Sequence, residues 1–139
     1  MIEGRKAMIG IYVNSAKGIN YAEAIVKGYK TIETRTRDVF KSLFKDSDTI
    51  RVAVIDTSKK APEVIGFVTL HKGYKVYRDE FRTDKYFNKH LIPPGSKFDI
   101  QPGANFKWCY ECSNASDFSK TPYRVPGWAV RHGRTFCEF

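Results

Sequence analysis

The first third of the chain changes from a strand-like to a helix-like hydrophobic pattern. Residues 9–14 are predicted to form an opening strand. Three apolar residues then share the i, i+3, i+4 spacing of one helix face, namely Ala22, Ile25 and Val26. Asn20 and Glu23 form a variant of the capping box, so we expect the helix to begin at Tyr21. It should end at Gly28, because glycine suits the left-handed residue that follows many helices.

Segments rich in β-branched and aromatic residues follow, and each is too short for an ordinary helix. The predicted strands are residues 31–37, 51–57, 64–71 and 107–114, with a terminal edge strand over residues 134–139. Gly66 inside a strand indicates a bulge or a close backbone approach. A short helix is predicted over residues 39–44, and a helix broken at Thr83 over residues 78–91. These elements predict an α+β domain with a small barrel-like sheet.

The length of the chain predicts a single domain over residues 1–139, large enough to bury a core. A hydrophobic content of 42% and an aromatic content of 14% argue against disorder. Residues 2–5 spell a protease site that is common in engineered proteins, so we interpret residues 1–7 as a disordered or engineered start. We find neither an apolar run near the ~20 residues of a membrane span nor the pattern of a secretion signal.

The net charge of +9, from 24 basic and 15 acidic residues, indicates a partner that is a polyanion. Charge alone does not choose between RNA, DNA and an acidic membrane, but no stretch has the basic amphipathic face of a membrane-bound helix. The odd set of Cys109, Cys112 and Cys137 predicts reduced thiols in a cytoplasmic protein. Cys109 and Cys112 would point to opposite faces of a strand, which favours buried thiols over a zinc site with His132.

Polar residues of both signs stand where the first helix is predicted to end and the next strand to begin. They are Lys30, Glu33 and Arg35. Glu33 and Arg35 are two residues apart and would project from one strand face, and Lys30 could join them from the turn. By spacing alone this is either a cluster at the mouth of a cleft or a surface ion network worth roughly a few tenths of a kcal/mol.

Gly28, Lys30, Glu33 and Arg35 reproduce the G-x-K-x-x-E-x-R signature of ASCH domains, which belong to the PUA-like group of folds. The order of elements over about residues 8–125 resembles that of these domains as well. The resemblance implies an α+β fold, a small PUA-like β-barrel with two or three flanking helices. It also implies a basic cleft between the first helix and the barrel that binds RNA or a modified nucleoside, with Lys30, Glu33 and Arg35 at its centre.

The resemblance leaves an enzyme on the same scaffold as the alternative. Some small ASCH members hydrolyse the amide of acetylated cytidine, and others cut RNA without a metal. In such an enzyme Lys30 would be the activated amine or general base, and Glu33 would orient it. The amidohydrolases have a Thr where this chain has Glu33, although Thr31 and Thr34 lie beside it.

Four further residues are predicted to contribute to ligand binding. Asn14 and Ser15 follow the opening strand and would overhang the cleft. Tyr74 begins a segment in which aromatic and basic residues interleave, as in proteins that stack single-stranded bases, although core packing explains such rings too. Arg131 belongs to a basic cluster that a solvated tail would explain equally well. No cofactor, metal or membrane contact is predicted, and no protein partner can be inferred; Walker, Rossmann and zincin spacings are not found.

Overall fold

The structure, a computed structural model, describes residues 7–139. The prediction of a disordered or engineered start therefore lies, apart from Ala7, outside the described residues. Along the chain the elements are β1 (Ile9–Val13), α1 (Tyr21–Val26), β2 (Ile32–Arg35), a 3-10 helix (Lys41–Phe44), β3 (Thr49–Asp56), β4 (Glu63–His71), β5 (Tyr74–Tyr77), α2 (Arg78–Phe81), α3 (Asp84–His90), β6 (Phe106–Asp117), β7 (Tyr123–Arg124), β8 (Val130–His132) and β9 (Phe136–Glu138).

One mixed sheet of nine strands forms the centre of the described fold. Its main path has the order β2-β6-β4-β3-β1-β9-β8, while β5 pairs with β6 and β7 pairs with β4. β1 and β3 run parallel, and the other paired strands run antiparallel. The predicted α+β class with flanking helices is confirmed. Within residues 7–139 the end strands β2 and β8 do not pair, so the sheet is open and the word barrel fits it only loosely.

Helix α1 packs on β3, β4 and β6 and closes the larger core. Its N-cap is as predicted, because Asn20 Oδ1 accepts a hydrogen bond from the backbone N of Glu23 at 3.0 Å. Gly28 has a φ of +81°, the left-handed conformation predicted from its place after the apolar run. Nearly every side chain of α1 is buried: Tyr21, Ala22, Ala24, Ile25 and Val26. The predicted helix and both of its ends are therefore confirmed.

Gly66 lies where a strand and a helix approach β4 most closely. A Cβ at this position would collide with the carbonyl oxygen of Ser116 in β6 and with the side chain of Val26 in α1. The pairing of β3 with β4 also shifts register here, between Val54 and Ile55. The predicted bulge and close approach are both confirmed, and the reason for glycine is steric.

The remaining predicted helices and the predicted terminal strand differ in how well they agree with the structure. The helical segment after β5 is broken as predicted, with Thr83 capping α3. The segment 39–44 contains a 3-10 helix rather than an α-helix. The terminal strand β9 lies between β1 and β8 and is not an edge strand, so that prediction was wrong. The composition of residues 134–139 gave no sign that β8 would add outside it.

All three cysteines are free and buried, as the prediction of buried thiols required. Over residues 7–139 no group of three or more His, Cys, Asp or Glu side chains comes together as metal ligands would. None of the helices in the described part of the chain has the length and apolar character needed to cross a membrane.

Candidate functional site

The end of α1 places Lys30 under the helix instead of on the surface. After the left-handed turn at Gly28, the backbone N of Lys30 donates to the Ala24 carbonyl at 3.0 Å. The backbone N of Thr31 donates to the Lys89 carbonyl at 2.9 Å, which ties the start of β2 to α3. Backbone hydrogen bonds thus connect the helix end, the turn and the strand start.

The three charged residues predicted to cluster are in contact. Lys30 Nζ lies 3.8 Å from Glu33 Oε1, and Arg35 Nη2 lies 2.9 Å from Glu33 Oε2. Lys30 also donates to the His90 carbonyl at 2.5 Å, and Arg35 donates to the Tyr12 carbonyl at 2.7 Å. Only 1% of Lys30 and 6% of Glu33 are exposed, which excludes the reading as a surface ion network.

Arg35 connects two strands that do not pair with each other. It extends from β2 to a backbone carbonyl of β1, and its guanidinium lies over the Phe40 ring with 4.8 Å to the centroid. On the helix side, Lys30 Nζ lies over the Tyr21 ring, also at 4.8 Å. Both cations are thus held by a carboxylate, a carbonyl and a ring, which fixes their positions.

Burial and charge act in opposite directions on Glu33. Burial alone would raise the pKa of its carboxyl, but the charges of Arg35 and Lys30 and the hydrogen bonds from Arg35 and the Thr34 backbone outweigh burial, so the pKa is lowered. For the Lys30 amine, burial lowers the pKa, although the negative charge of Glu33 acts to raise it. The carboxylate is therefore ionised at neutral pH and can only accept hydrogen bonds.

Lys30 donates to the backbone carbonyl of His90, and the hydrogen bonds of the His90 ring define its tautomer. His90 Nε2 lies 2.7 Å from the Phe81 carbonyl, which can only accept, so Nε2 carries the proton. Nδ1 in turn accepts from the backbone N of Ile92 at 2.9 Å. Burial lowers the pKa of His90 to about 4, so the ring is neutral at physiological pH and adds no charge beside Lys30.

A cavity of about 210 Å³ opens beside this cluster, between α1 and the strand edge formed by β2. Its walls combine charged, polar and aromatic groups. The lining residues are Asn14, Tyr21, Lys30, Glu33, Thr34, Arg35, Thr36, Ile92, Phe98 and Lys107. The concavity predicted for the motif is therefore present, and all three of its charged residues lie on the cavity wall.

Lys107 is a cavity residue that sequence reasoning did not select. It is only 4% exposed, and burial lowers the pKa of its amine against the raising effect of Glu33. Among residues 7–139 its amine takes part in no ion pair. One signal was available, because Lys107 shares a strand face with the buried Cys109 in an alternating pattern. Because a lysine on the same strand face as a core residue is seldom buried unless it is paired, this pattern indicates Lys107 as a candidate site residue.

The other sequence candidates divide into one residue at the cavity and three elsewhere. Asn14 lines the cavity, and its Oδ1 accepts from Thr57 Oγ1 at 2.6 Å. Ser15 is outside the lining, and its Oγ is buried with no partner in the described structure. Tyr74 pairs with Cys109 across β5 and β6, and Arg131 lies over the Tyr12 ring from β8. A contact of these three residues with ligand stays a prediction.

The loop after α3 contributes an aromatic ring, Phe98, to the cavity wall. This residue lies outside any predicted strand or helix. Phe98 packs edge-on against Tyr21, with 5.9 Å between ring centroids. The loop is held by Asp99, whose carboxylate accepts from Arg82 at 2.8 Å and from the backbone N of Gly95 at 2.7 Å. A loop with this many internal bonds can present a ring in a defined position.

Comparisons with known proteins agree on the fold. An ASCH protein from Zymomonas mobilis, as a serine-to-alanine variant, superposes with a TM-score of 0.69 at 16% identity, covering 95% of this chain and 87% of that chain. The unsubstituted ASCH protein from the same organism gives a TM-score of 0.62 at 18% identity, with 84% of this chain and 73% of that chain covered. No protein-family model matches the chain, and no curated protein matches it in sequence.

At this identity the similarity concerns architecture and not activity. The chain has the fold of ASCH domains, so the resemblance that the four-residue signature indicated is confirmed at the level of the fold. The ligand of the cavity is determined by the residues that line it, not by the fold.

Proposed function

We propose that this ASCH-like domain binds RNA or a modified nucleoside by taking one nucleobase into the cavity lined by Lys30, Glu33, Arg35 and Lys107. The observation that carries the proposal is the combination, in one cavity of about 210 Å³, of an ionised carboxylate, three cations and two aromatic rings. Drug-sized ligands occupy pockets of about 300–1,000 Å³, so the smaller volume here suits a single base with its ribose at the mouth.

The polar groups of the cavity favour a base that has both donors and acceptors on its edge. Glu33, as an acceptor, suits an exocyclic amino group, and carboxylates pair with the amino group of cytosine in this way. Its oxygens already accept from Arg35 and the Thr34 backbone, but a carboxylate has about four acceptor positions, so capacity remains. Lys107 and Arg35 can donate to a base carbonyl or a phosphate. We therefore expect cytosine-type bases to bind better than uracil.

The test uses isothermal titration calorimetry with cytidine, acetylated cytidine, uridine and a single-stranded RNA octamer of cytidylate. Lys107→Met should weaken binding of the octamer and of cytidine by roughly tenfold, because it removes a cavity cation that forms no ion pair within residues 7–139. Glu33→Gln should reduce the preference for cytidine over uridine. Lys60→Met, which removes an exposed lysine from another loop, is the matched control and should bind as the parent does.

Lys30→Ala is a less clean test than these variants. It would empty the volume of a fully buried side chain and leave the His90 carbonyl without its donor, so lost binding would be mixed with lost stability. The proposal fails if Lys107→Met and Glu33→Gln, both folded, bind cytidine and the octamer as tightly and as selectively as the parent.

A hydrolase is the second candidate, and one observation favours it. Burial lowers the pKa values of two cavity lysines, Lys30 and Lys107, which raises the fraction of neutral amine able to act as base or nucleophile. The protein would be incubated with acetylated cytidine and with end-labelled RNA. Turnover that increases with pH and disappears in Lys107→Met would favour the enzyme, while retained binding without turnover would favour the binding module. A protein-interaction domain would show neither.

A further inference from the structure

A second surface with aromatic and basic side chains adjoins the cavity on β5 and β6. Two cross-strand pairs form it, Lys75 opposite Trp108 and Tyr77 opposite Phe106. Residues directly opposite in an antiparallel pair, and residues two apart on one strand, share a face of the sheet. The four side chains, which we call the β5–β6 platform, therefore lie together on one face.

Lys75 and Tyr77 of the platform are exposed, whereas Phe106 and Trp108 are half-buried and Trp108 also packs against the core. Tyr77 is 56% exposed and packs edge-on against Phe106, with 5.6 Å between centroids. Phe106 and Trp108 meet edge-on at 6.4 Å. Lys75 Nζ lies 4.7 Å from the Phe106 centroid and 5.6 Å from that of Trp108. Aromatic rings that are at least partly accessible and in contact with an exposed lysine are the elements of a stacking surface for bases.

The platform is continuous with the cavity through the strand register. Trp108 is directly opposite Arg35 in the pairing of β2 with β6, and Arg35 is part of the cavity wall. One row of the sheet therefore runs from Arg35 through Trp108 to Lys75 across three strands. The preceding residue Lys107 also lines the cavity, but from the opposite face of β6, so the continuity is through Arg35.

We propose that the β5–β6 platform binds the nucleotides of a single RNA strand that flank the base held in the cavity. This inference rests on the proposed function and narrows it, because a free nucleoside would leave the platform unused. Bases next to the captured one would stack on Trp108 and Tyr77, and Lys75 would turn from the rings to a phosphate. Sheet surfaces with two or three exposed rings bind single-stranded RNA in this way.

Charge and geometry favour RNA over other occupants of the platform. The net charge of +9 and the row of Arg35 and Lys75 on either side of Trp108 complement a phosphate backbone. Stacking requires unpaired bases, so a single strand fits and a duplex does not. Shielding of the rings by Lys75 alone would explain the resting contacts, but it gives no reason for a ring as exposed as Tyr77.

The experiment compares a cytidylate octamer, labelled for fluorescence anisotropy, with free cytidine measured by calorimetry. Trp108→Ala and Tyr77→Ala should each weaken the octamer by roughly tenfold or more and leave cytidine within about twofold of the parent. Two matched controls come from the chain itself. Trp128→Ala and Tyr29→Ala remove rings that are 72% and 68% exposed away from the platform, and neither should change the affinity for the octamer.

A fluorescence measurement keeps the test decisive if Trp108→Ala folds poorly. The sequence has two tryptophans, so Trp128→Phe leaves Trp108 as the single indole emitter. Stacking of a base on that ring should quench its emission on titration with the octamer, and the same octamer annealed to its complement should quench it far less.

Each outcome separates the two proposals. Unchanged octamer affinity in Trp108→Ala and Tyr77→Ala, with cytidine still bound in the cavity, would overturn the platform and leave the proposed function standing. An equal loss of cytidine and octamer would also overturn it, since the rings would then belong to the cavity. If the parent binds neither ligand, the proposed function fails and the platform inference fails with it.

Discussion

At the scale of single residues, Glu33 shows how the fold accommodates a buried charge. Removing a carboxylate from water is costly, and the cost is offset only where partners and hydrogen bonds are well placed. Here Arg35 and Lys30 lie on opposite oxygens, and the Thr34 backbone N donates at 3.1 Å. The arrangement leaves the charge fixed at the wall of a cavity, where a ligand can use it.

Glu33 should make the stability of the protein depend on pH. Its folded pKa lies below the unfolded value of about 4.3, so its contribution is present above that value and is lost as the pH falls through the folded pKa. Glu33→Gln should therefore destabilise by about 1–3 kcal/mol at pH 7, with the difference from the parent shrinking below about pH 4. Urea unfolding across that pH range measures it.

The matched control for this prediction is Glu111→Gln, which removes an exposed carboxylate from β6. It should stay within about 0.5 kcal/mol of the parent at pH 7. A difference between the parent and Glu33→Gln that is the same at pH 7 and at pH 3.5 would contradict the assigned ionisation of Glu33.

At the scale of elements, β6 organises the molecule. Its first half pairs with β2 and β5, and its second half pairs with β4. The change of partners falls near Asn114, whose φ of +51° is unusual for a residue other than glycine. Because successive residues of a strand face opposite sides, β6 presents Lys107 to the cavity and Trp108 to the platform.

The contact of β4 with β6 and α1 depends on the absence of a side chain at Gly66. Gly66→Ala would drive a methyl group into the Ser116 carbonyl and the Val26 side chain, neither of which can move away easily. We expect destabilisation of about 1–3 kcal/mol or more, measured by urea or thermal unfolding. Gly127→Ala is the control, because a Cβ there meets nothing within 4 Å and its φ is not positive. Equal stability of the two variants would refute the close approach.

At the scale of the whole molecule, the positive charge and the cavity should respond differently to salt. An RNA strand releases counterions when it binds, whereas an uncharged nucleoside does not. Raising the salt from about 50 to about 200 mM should weaken the cytidylate octamer by roughly tenfold if two or three phosphates are contacted, and should change cytidine binding little. Anisotropy and calorimetry at both salt concentrations measure this. A parallel loss for both ligands would contradict separate contributions of charge and cavity.

Much of this molecule follows from local rules that act over a few residues. The cap at Asn20, the left-handed Gly28 and the break at Thr83 were all predictable. Each depends on backbone sterics or on a hydrogen bond to a near neighbour in the chain. The order of these elements was also sufficient to indicate the α+β fold that the comparisons confirmed.

The site was predictable only where its residues are close together in the chain. Lys30, Glu33 and Arg35 lie within six residues, so their spacing already indicated that the three charges could form one cluster. Lys107 and Phe98 reach the same cavity from a later strand and a later loop. The alternating pattern around Lys107 indicates a lysine on a buried strand face, but the residues near Lys107 and Phe98 do not indicate which distant segments they meet.

Periodicity, capping and charge specify the helices, the strands and the excess of positive groups, because these properties depend on nearest neighbours and composition. Long-range strand pairing decides which cations share a cavity, which rings form a platform and whether the sheet closes. Those outcomes depend on register between distant segments, and a shift of one residue would move Lys107 and Trp108 to each other's face.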